Sequence, residues 1–126
     1  MAANQNFVMI SGITDTVQDY SLCVRIVRMW VVPEVARPQK TNSIEMVLMD
    51  AEGTRIHASV KRMLIYRFEK QLREGVGYNM NLFSVVRNTG EYRTTKHDFK
   101  IDVMYDTTFE RVSWLRDPVN LDSYLL

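Results

Sequence analysis

Residues 44–61, IEMVLMDAEGTRIHASVK, are the stretch of sequence that decides the fold. In its second half Ile56, Ala58 and Val60 alternate with four polar or basic residues, namely Arg55, His57, Ser59 and Lys61. Because strand side chains point alternately to opposite faces, this pattern predicts a strand with one face in the core and one in solvent. The DAEG segment before it predicts a hairpin turn. The polar face of this strand is a candidate binding surface.

The composition limits the class of protein to which this surface belongs. The 126 residues fit one domain, and the 46% hydrophobic and 25% charged content is ordinary for a globular protein. No apolar run is long enough to span a membrane, and residues 1–13 lack the features of a secretory signal. We therefore expect an intracellular protein that does not bind a membrane.

The cysteine and histidine content argues against a metal centre. Cys23 is the single cysteine, and His57 and His97 are the two histidines, so neither a disulfide nor a zinc-ligand spacing is present. The sequence therefore predicts no metal and no cofactor.

The net charge of +1 hides an uneven distribution. Residues 21–100 contain 14 Lys/Arg against 8 Asp/Glu, a net charge of +6, whereas residues 1–20 carry −2 and residues 101–126 carry −3. A basic middle segment favours binding to a polyanion, because Lys and Arg release counterions from phosphates. Charges that simply cover a solvated surface would give the same count.

Further elements flank the hairpin. Residues 21–32, SLCVRIVRMWVV, predict a strand long enough to bend. Leu64, Phe68 and Leu72 have helical spacing, which predicts a helix over residues 62–74 that ends at the glycines after it. Two more strands are predicted at residues 78–86 and 91–105.

The order of these elements predicts an all-β (mainly β) fold. Five strands with one α-helix between the third and fourth match a five-stranded OB-fold barrel, whose strand 2 and 3 surface commonly holds oligonucleotides. We assign residues 21–106 to this barrel and residues 1–20 to an N-terminal lead-in. Residues 107–126 are interpreted as a C-terminal tail or the start of a linker.

Three sequence blocks carry a family resemblance. VRIVRMW, MVLMDAEGTRIHASV and EYRTTKHDFKIDV occur in the order found in an OB domain of the replication protein A large subunit, most closely that of its plant-type relatives. The resemblance covers roughly residues 7–111, and the block around DAEG is its most specific part. The FVMISGI segment adds to the resemblance, because it is similar to the segment that precedes the first strand in that family.

This resemblance implies a non-enzymatic domain that binds single-stranded DNA with little sequence specificity. It implies a nuclear role in DNA replication, repair or recombination, with other replication protein A subunits or further OB domains in a longer chain as partners. Arg25 stands where the family contacts nucleic acid from its first strand, and Tyr92 where a ring stacks a base from the fifth. Ile44 stands where the family has a second ring.

The chemistry of the residues supports a groove of this kind. Base faces stack on aromatic rings, and guanidinium and ammonium groups hold phosphates. The candidate nucleic-acid-binding residues are Arg25, Arg28, Trp30, His57, Lys61, Arg87, Tyr92, Arg93 and Lys96. Two of them have another interpretation, since Trp30 would equally cover one end of the barrel and Tyr92 would equally be a hairpin residue.

Two other classes of function remain open from the residues alone. Asp98 and Asp102 share one face of the last predicted strand, but no third carboxylate or nucleophile motif accompanies them, so we expect no enzyme. A protein-interaction module is the stronger alternative. It would use an apolar surface formed by Met29, Ile44, Met46 and Met49.

Overall fold

The eight strands of the described residues pair into one sheet. The structure is a computed structural model that describes residues 6–16, 19–90 and 93–113. The strands are β1 (Asn6–Phe7), β2 (Tyr20–Pro33), β3 (Thr41–Met49), β4 (Arg55–Lys61), β5 (Gly77–Asn81), β6 (Ser84–Arg87), β7 (Phe99–Asp102) and β8 (Thr108–Arg111). In this part of the chain the single α-helix, α1 (Ile65–Phe68), follows a 3₁₀ turn at Arg62–Leu64.

Seven of the strands are hydrogen-bonded to one another in the order β6-β7-β4-β3-β2-β5-β8. The remaining strand, β1, pairs with β2 in parallel. The β2–β3 and β3–β4 pairs are antiparallel, whereas β4 and β7 are parallel. The result is a curled, mainly β half-barrel with a short helix between β4 and β5. The predicted fold class is confirmed in this form, although the structure has more strands than the five predicted.

The hairpin of β3 and β4 follows the predicted alternation. Ile56, Ala58 and Val60 are fully buried, and their cross-strand partners on β3 are Leu48, Met46 and Ile44. These six side chains belong to the central hydrophobic cluster. Burial of one face of each strand therefore fixes the register, because a slip of one residue would turn every apolar side chain into solvent.

The predicted bend in the first long strand is a β-bulge in β2. Ile26 pairs with Leu48, but Arg28 pairs with the next residue of β3, Val47, so Val27 is an extra residue on β2. The bulge shifts the alternation by one residue. Arg28 and Trp30 consequently lie on the outer face of the sheet.

The helix is much shorter than the predicted 62–74. Phe68 and Leu72 are buried as the helical spacing predicted, but the α-helical residues end at Phe68. Beyond it, the Tyr78 hydroxyl donates to Gln71 O and accepts from Arg73 N. These bonds to a side chain of β5 satisfy backbone groups that a continued helix would have paired internally.

The predicted strand 78–86 is interrupted in the structure. Leu82 has φ +61°, a left-handed conformation that separates β5 from β6. The buried Thr107 hydroxyl donates to Leu82 O at 2.7 Å and accepts from Met104 N at 2.8 Å. This tertiary contact holds a conformation that a leucine disfavours.

Of the predicted strand 91–105, the structure describes residues 93–105, and within these the strand is β7. Asn88 N donates to Asp98 O at 2.8 Å, and His97 Nε2 lies 2.8 Å from Ile10 O. These contacts hold the segment before Phe99 as a loop against the N-terminal segment. His97 is thus held by Ile10, which lies 87 residues earlier in the sequence, and not by pairing with a neighbouring strand.

Both flanks of the predicted barrel contribute to the folded unit. Ile10 and Ile13 of the lead-in are buried in the central cluster. In the predicted tail, β8 pairs with β5, and the Phe109 ring packs edge-on against Phe68 and Tyr78 at centroid distances of 5.6 and 5.8 Å. No helix within the described ranges combines the length and the apolar character that crossing a membrane requires.

Candidate nucleic-acid interface

The side of the β2–β3–β4 sheet that faces away from the core forms a continuous surface, which we call the outer face. The cross-strand register aligns its residues in two rows. The rows are Arg28–Val47–His57 and Trp30–Glu45–Ser59. Pairing between distant segments has therefore placed an aromatic ring beside polar and basic groups.

Trp30 is a partly exposed ring at the centre of this surface. The His57 ring meets it edge-on at a centroid distance of 5.8 Å, and the guanidinium carbon of Arg28 lies 5.9 Å from the Trp30 ring centroid. Such a cation beside an aromatic ring is weakly attractive and orients both groups. Trp30 therefore lies on the sheet surface and does not cover an end of the barrel.

A hydrogen-bond network fixes His57. Its Nε2 lies 2.6 Å from Glu45 Oε1, and the Ser59 hydroxyl donates to the same oxygen at 2.5 Å. The Nδ1 atom of His57 is hydrogen-bonded to Thr94 Oγ1, which joins β4 to the loop before β7. Burial acts to raise the pKa of Glu45, but hydrogen bonds from His57, Ser43 and Ser59 outweigh it and hold that pKa below its ordinary value.

Basic residues border the outer face. Arg28 and Lys61 are exposed, and Lys61 forms a loose ion pair with Asp102 at 3.8 Å. Arg93 and Lys96 are exposed on the loop before β7, where the Arg93 guanidinium donates to the backbone oxygens of Lys96 and His97 at 3.1 and 2.7 Å. The described structure thus brings six predicted site residues to this surface or its border: Arg28, Trp30, His57, Lys61, Arg93 and Lys96.

Two predicted residues, Arg25 and Arg87, are not brought together with Trp30. Arg25 leans toward the loop before β5, where its Nε donates to Gly75 O at 2.8 Å. Arg87 pairs with Phe99 and shares the face of Val85, which is opposite to the outer face. Tyr92 lies outside the described residues.

Two basic residues at this surface were not among the predicted site residues. Arg55 is exposed in the same alternating row as His57. Lys100 shares the face of Asp102, which pairs with Ser59 of the outer face. The alternation of β4 already predicted the polar face on which Arg55 lies, whereas the face of Lys100 depends on a parallel pairing that the sequence does not show.

The apolar surface expected for a protein-interaction module is absent from these residues. Ile44, Met46 and Met49 are 4%, 0% and 1% exposed, and Met29 also packs against the core. Ile44 therefore points inward and is not a position for a stacking ring. Each of the two aspartates considered for catalysis lies near a cation, Asp98 at 3.9 Å from Arg93 and Asp102 at 3.8 Å from Lys61.

The curled sheet, with its helix between β4 and β5, belongs to the OB-fold class. The structure is similar to a replication protein A heterotrimer bound to ssDNA, with a TM-score of 0.69 and 16% identity over 90% of this chain and 25% of that chain. It is also similar to DNA-binding domain A of Saccharomyces cerevisiae replication protein A, with a TM-score of 0.62 and 12% identity over 87% and 96% of the two chains. Schizosaccharomyces pombe Pot1pC bound to ssDNA gives a TM-score of 0.61 and 12% identity over 96% and 97%.

The family model described as domain of unknown function DUF223 matches residues 11–123, and the chain belongs to that family. No curated protein matches the sequence. The chain spans a quarter of the replication protein A chain to which it is similar. At these low identities the likeness concerns the fold, so the predicted likeness to replication protein A is confirmed at the level of an OB domain.

Proposed function

We propose that this domain binds single-stranded DNA on its outer face, as a non-catalytic module with little sequence specificity. The observation that carries the proposal is the partly exposed Trp30 ring, which lies beside the Arg28 guanidinium and the His57 ring on the β2–β3–β4 surface. A base of a single strand offers a flat apolar face that stacks on such a ring. Stacking of this kind is worth about 1–3 kcal/mol per base.

The charges around Trp30 suit the backbone of the strand. Arg28 adjoins the ring, and Lys61, Arg93 and Lys96 are exposed at the border of the outer face. The carboxylate of Glu45, which would repel phosphates, is hydrogen-bonded to His57 and Ser59. Cations that bind phosphates contribute affinity without reading the sequence. The single ring adds little discrimination, because every base has a face that can stack on it.

Two of the similar structures support single-stranded DNA as the ligand. Both the replication protein A heterotrimer and Pot1pC were determined bound to ssDNA. We further propose a nuclear role in replication, repair or recombination, beside other replication protein A subunits or further OB domains. The sequence blocks around DAEG support this assignment, including its plant-type character.

Titration of fluorescently labelled oligo-dT at low and at higher salt tests the proposal. We expect micromolar or weaker binding, with an affinity that falls steeply as salt is added. The logarithm of the binding constant should decline with log salt by about 0.7 per phosphate contacted in a single strand. Absence of binding at low salt would overturn the proposed function.

A further inference from the structure

A cleft of about 520 Å³ lies between the start of β4 and the loop before β7. Thr54 and Arg55 line one wall, and the other wall is lined by Thr94, Thr95, Lys96 and His97. It is continuous with the outer face, because Thr94 is hydrogen-bonded to His57, whose ring contacts Trp30. A strand stacked on Trp30 can therefore extend toward this cleft.

Thr95 is the distinctive residue of the cleft. It is 8% exposed, and its Oγ1 atom is buried without a hydrogen-bond partner among the described residues. A buried hydroxyl that has lost its hydrogen bonds to water and has formed none within the protein destabilises the fold. Thr95 lines the cleft, so a ligand oxygen that reaches this hydroxyl would supply the missing partner.

The cleft has the charge of an anion site. Arg55 and Lys96 are exposed on opposite walls, and no carboxylate is among the described residues that line it. His97 has a structural role, since its Nε2 lies 2.8 Å from Ile10 O and its Nδ1 accepts from Phe99 N at 3.0 Å. This leaves two cations and the threonine hydroxyls for a ligand. An oxyanion accepts hydrogen bonds from groups of both kinds.

We propose that this cleft is a phosphate subsite, in which the Thr95 hydroxyl donates to a phosphate of the bound strand and Arg55 and Lys96 neutralise its charge. The inference rests on the proposed function and deepens it, because it assigns one phosphate a fixed place on the surface. A strand held there and stacked on Trp30 would have a defined register. Such contacts position the nucleic acid without reading its sequence.

Oligo-dT binding by four variants tests the subsite. Thr95→Val keeps the shape of the side chain and removes its hydroxyl, with Thr108→Val on β8 as the matched control. Arg55→Gln removes one charge, with exposed Lys70→Gln after α1 as its control. We expect Thr95→Val to weaken binding about tenfold, as loss of a hydrogen bond to a charged group does. Arg55→Gln should also weaken binding and reduce the salt slope by about 0.7.

Thermal unfolding separates a ligand-binding hydroxyl from a structural one. Because Thr95 Oγ1 has no partner in the described structure, Thr95→Val should keep or raise the melting temperature while it weakens binding. A lower melting temperature would show that the hydroxyl is structural and would overturn the proposal. So would a loss of affinity confined to Arg55→Gln, or binding by both cleft variants that equals that of their controls. If the unaltered protein does not bind oligo-dT at low salt, the proposed function fails, and the subsite fails with it.

Discussion

The carboxylate of Asp50 accepts a hydrogen bond of 2.7 Å from the backbone N–H of Ile10, which lies 40 residues earlier in the chain. Its other oxygen accepts from the backbone N–H groups of Glu52 and Thr54 at 3.0 and 3.2 Å. Asp50 is 3% exposed, so these bonds form away from solvent. Asp50 of the DAEG turn therefore stabilises the turn of the hairpin and also binds the N-terminal segment to the barrel.

Replacing this aspartate should destabilise the fold. Asp50→Ala leaves three backbone N–H groups without their acceptor, and we expect the free energy of unfolding to fall by about 3 kcal/mol or more. Urea unfolding measures the change. Glu52→Ala in the same turn is the control, because Glu52 is exposed and should change stability by less than about 0.5 kcal/mol. Equal effects of the two substitutions would contradict the role of Asp50.

Truncating the ring on the outer face should weaken DNA binding. For Trp30→Ala we expect a loss of about 1–3 kcal/mol in oligo-dT binding, whereas Trp30→Phe should retain most of the affinity because it keeps a stacking face. Tyr66→Ala is the matched control, since Tyr66 is 70% exposed on α1, away from the outer face. Fluorescence anisotropy gives the three affinities. Similar losses for Trp30→Ala and Tyr66→Ala would remove Trp30 from the site.

Glu45 should make stability depend on acid. Its pKa is lower in the folded protein than the ordinary 4.5, so its contribution to stability is present above the ordinary pKa. That contribution is lost as the pH falls through the folded pKa. Below about pH 4.5, the free energy of unfolding should therefore decline more steeply for the unaltered protein than for Glu45→Gln. Urea unfolding at a series of pH values measures this difference, and parallel curves for the two proteins would refute it.

The bend between β5 and β6 should tolerate glycine better than leucine. Leu82 is half exposed and has φ +61°, a conformation that strains any residue with a Cβ atom. We expect Leu82→Gly to raise the free energy of unfolding by up to about 1 kcal/mol. Leu82→Ala keeps the Cβ atom and the strain, so it should give no increase. A gain for alanine equal to that for glycine would show that relief of backbone strain is not the cause.

The parts of the candidate site that the sequence predicted follow from local alternation. His57 and Lys61 occupy the outer face because β4 alternates without interruption and its apolar residues are buried. Arg25 and Arg87 also occupy predicted strands, but their surroundings depend on other segments. Arg25 donates to Gly75 across the β5 side of β2, and Arg87 packs its guanidinium carbon 5.6 Å from the Phe99 ring centroid. Nothing within either strand indicates these partners.

The sequence by itself determined the mainly β class, the hairpin at residues 44–61 and the inward face of each of its strands. Burial of every second residue along a strand is a local property, because it depends on the types of neighbouring residues. Tertiary structure alone decided that a bulge at Val27 would turn Trp30 outward, that Leu82 would interrupt a strand, and that Thr95 would be buried beside Arg55. The physical reason is that these features arise from hydrogen bonds and packing between segments far apart in the chain, and the local pattern of residues does not encode those partners.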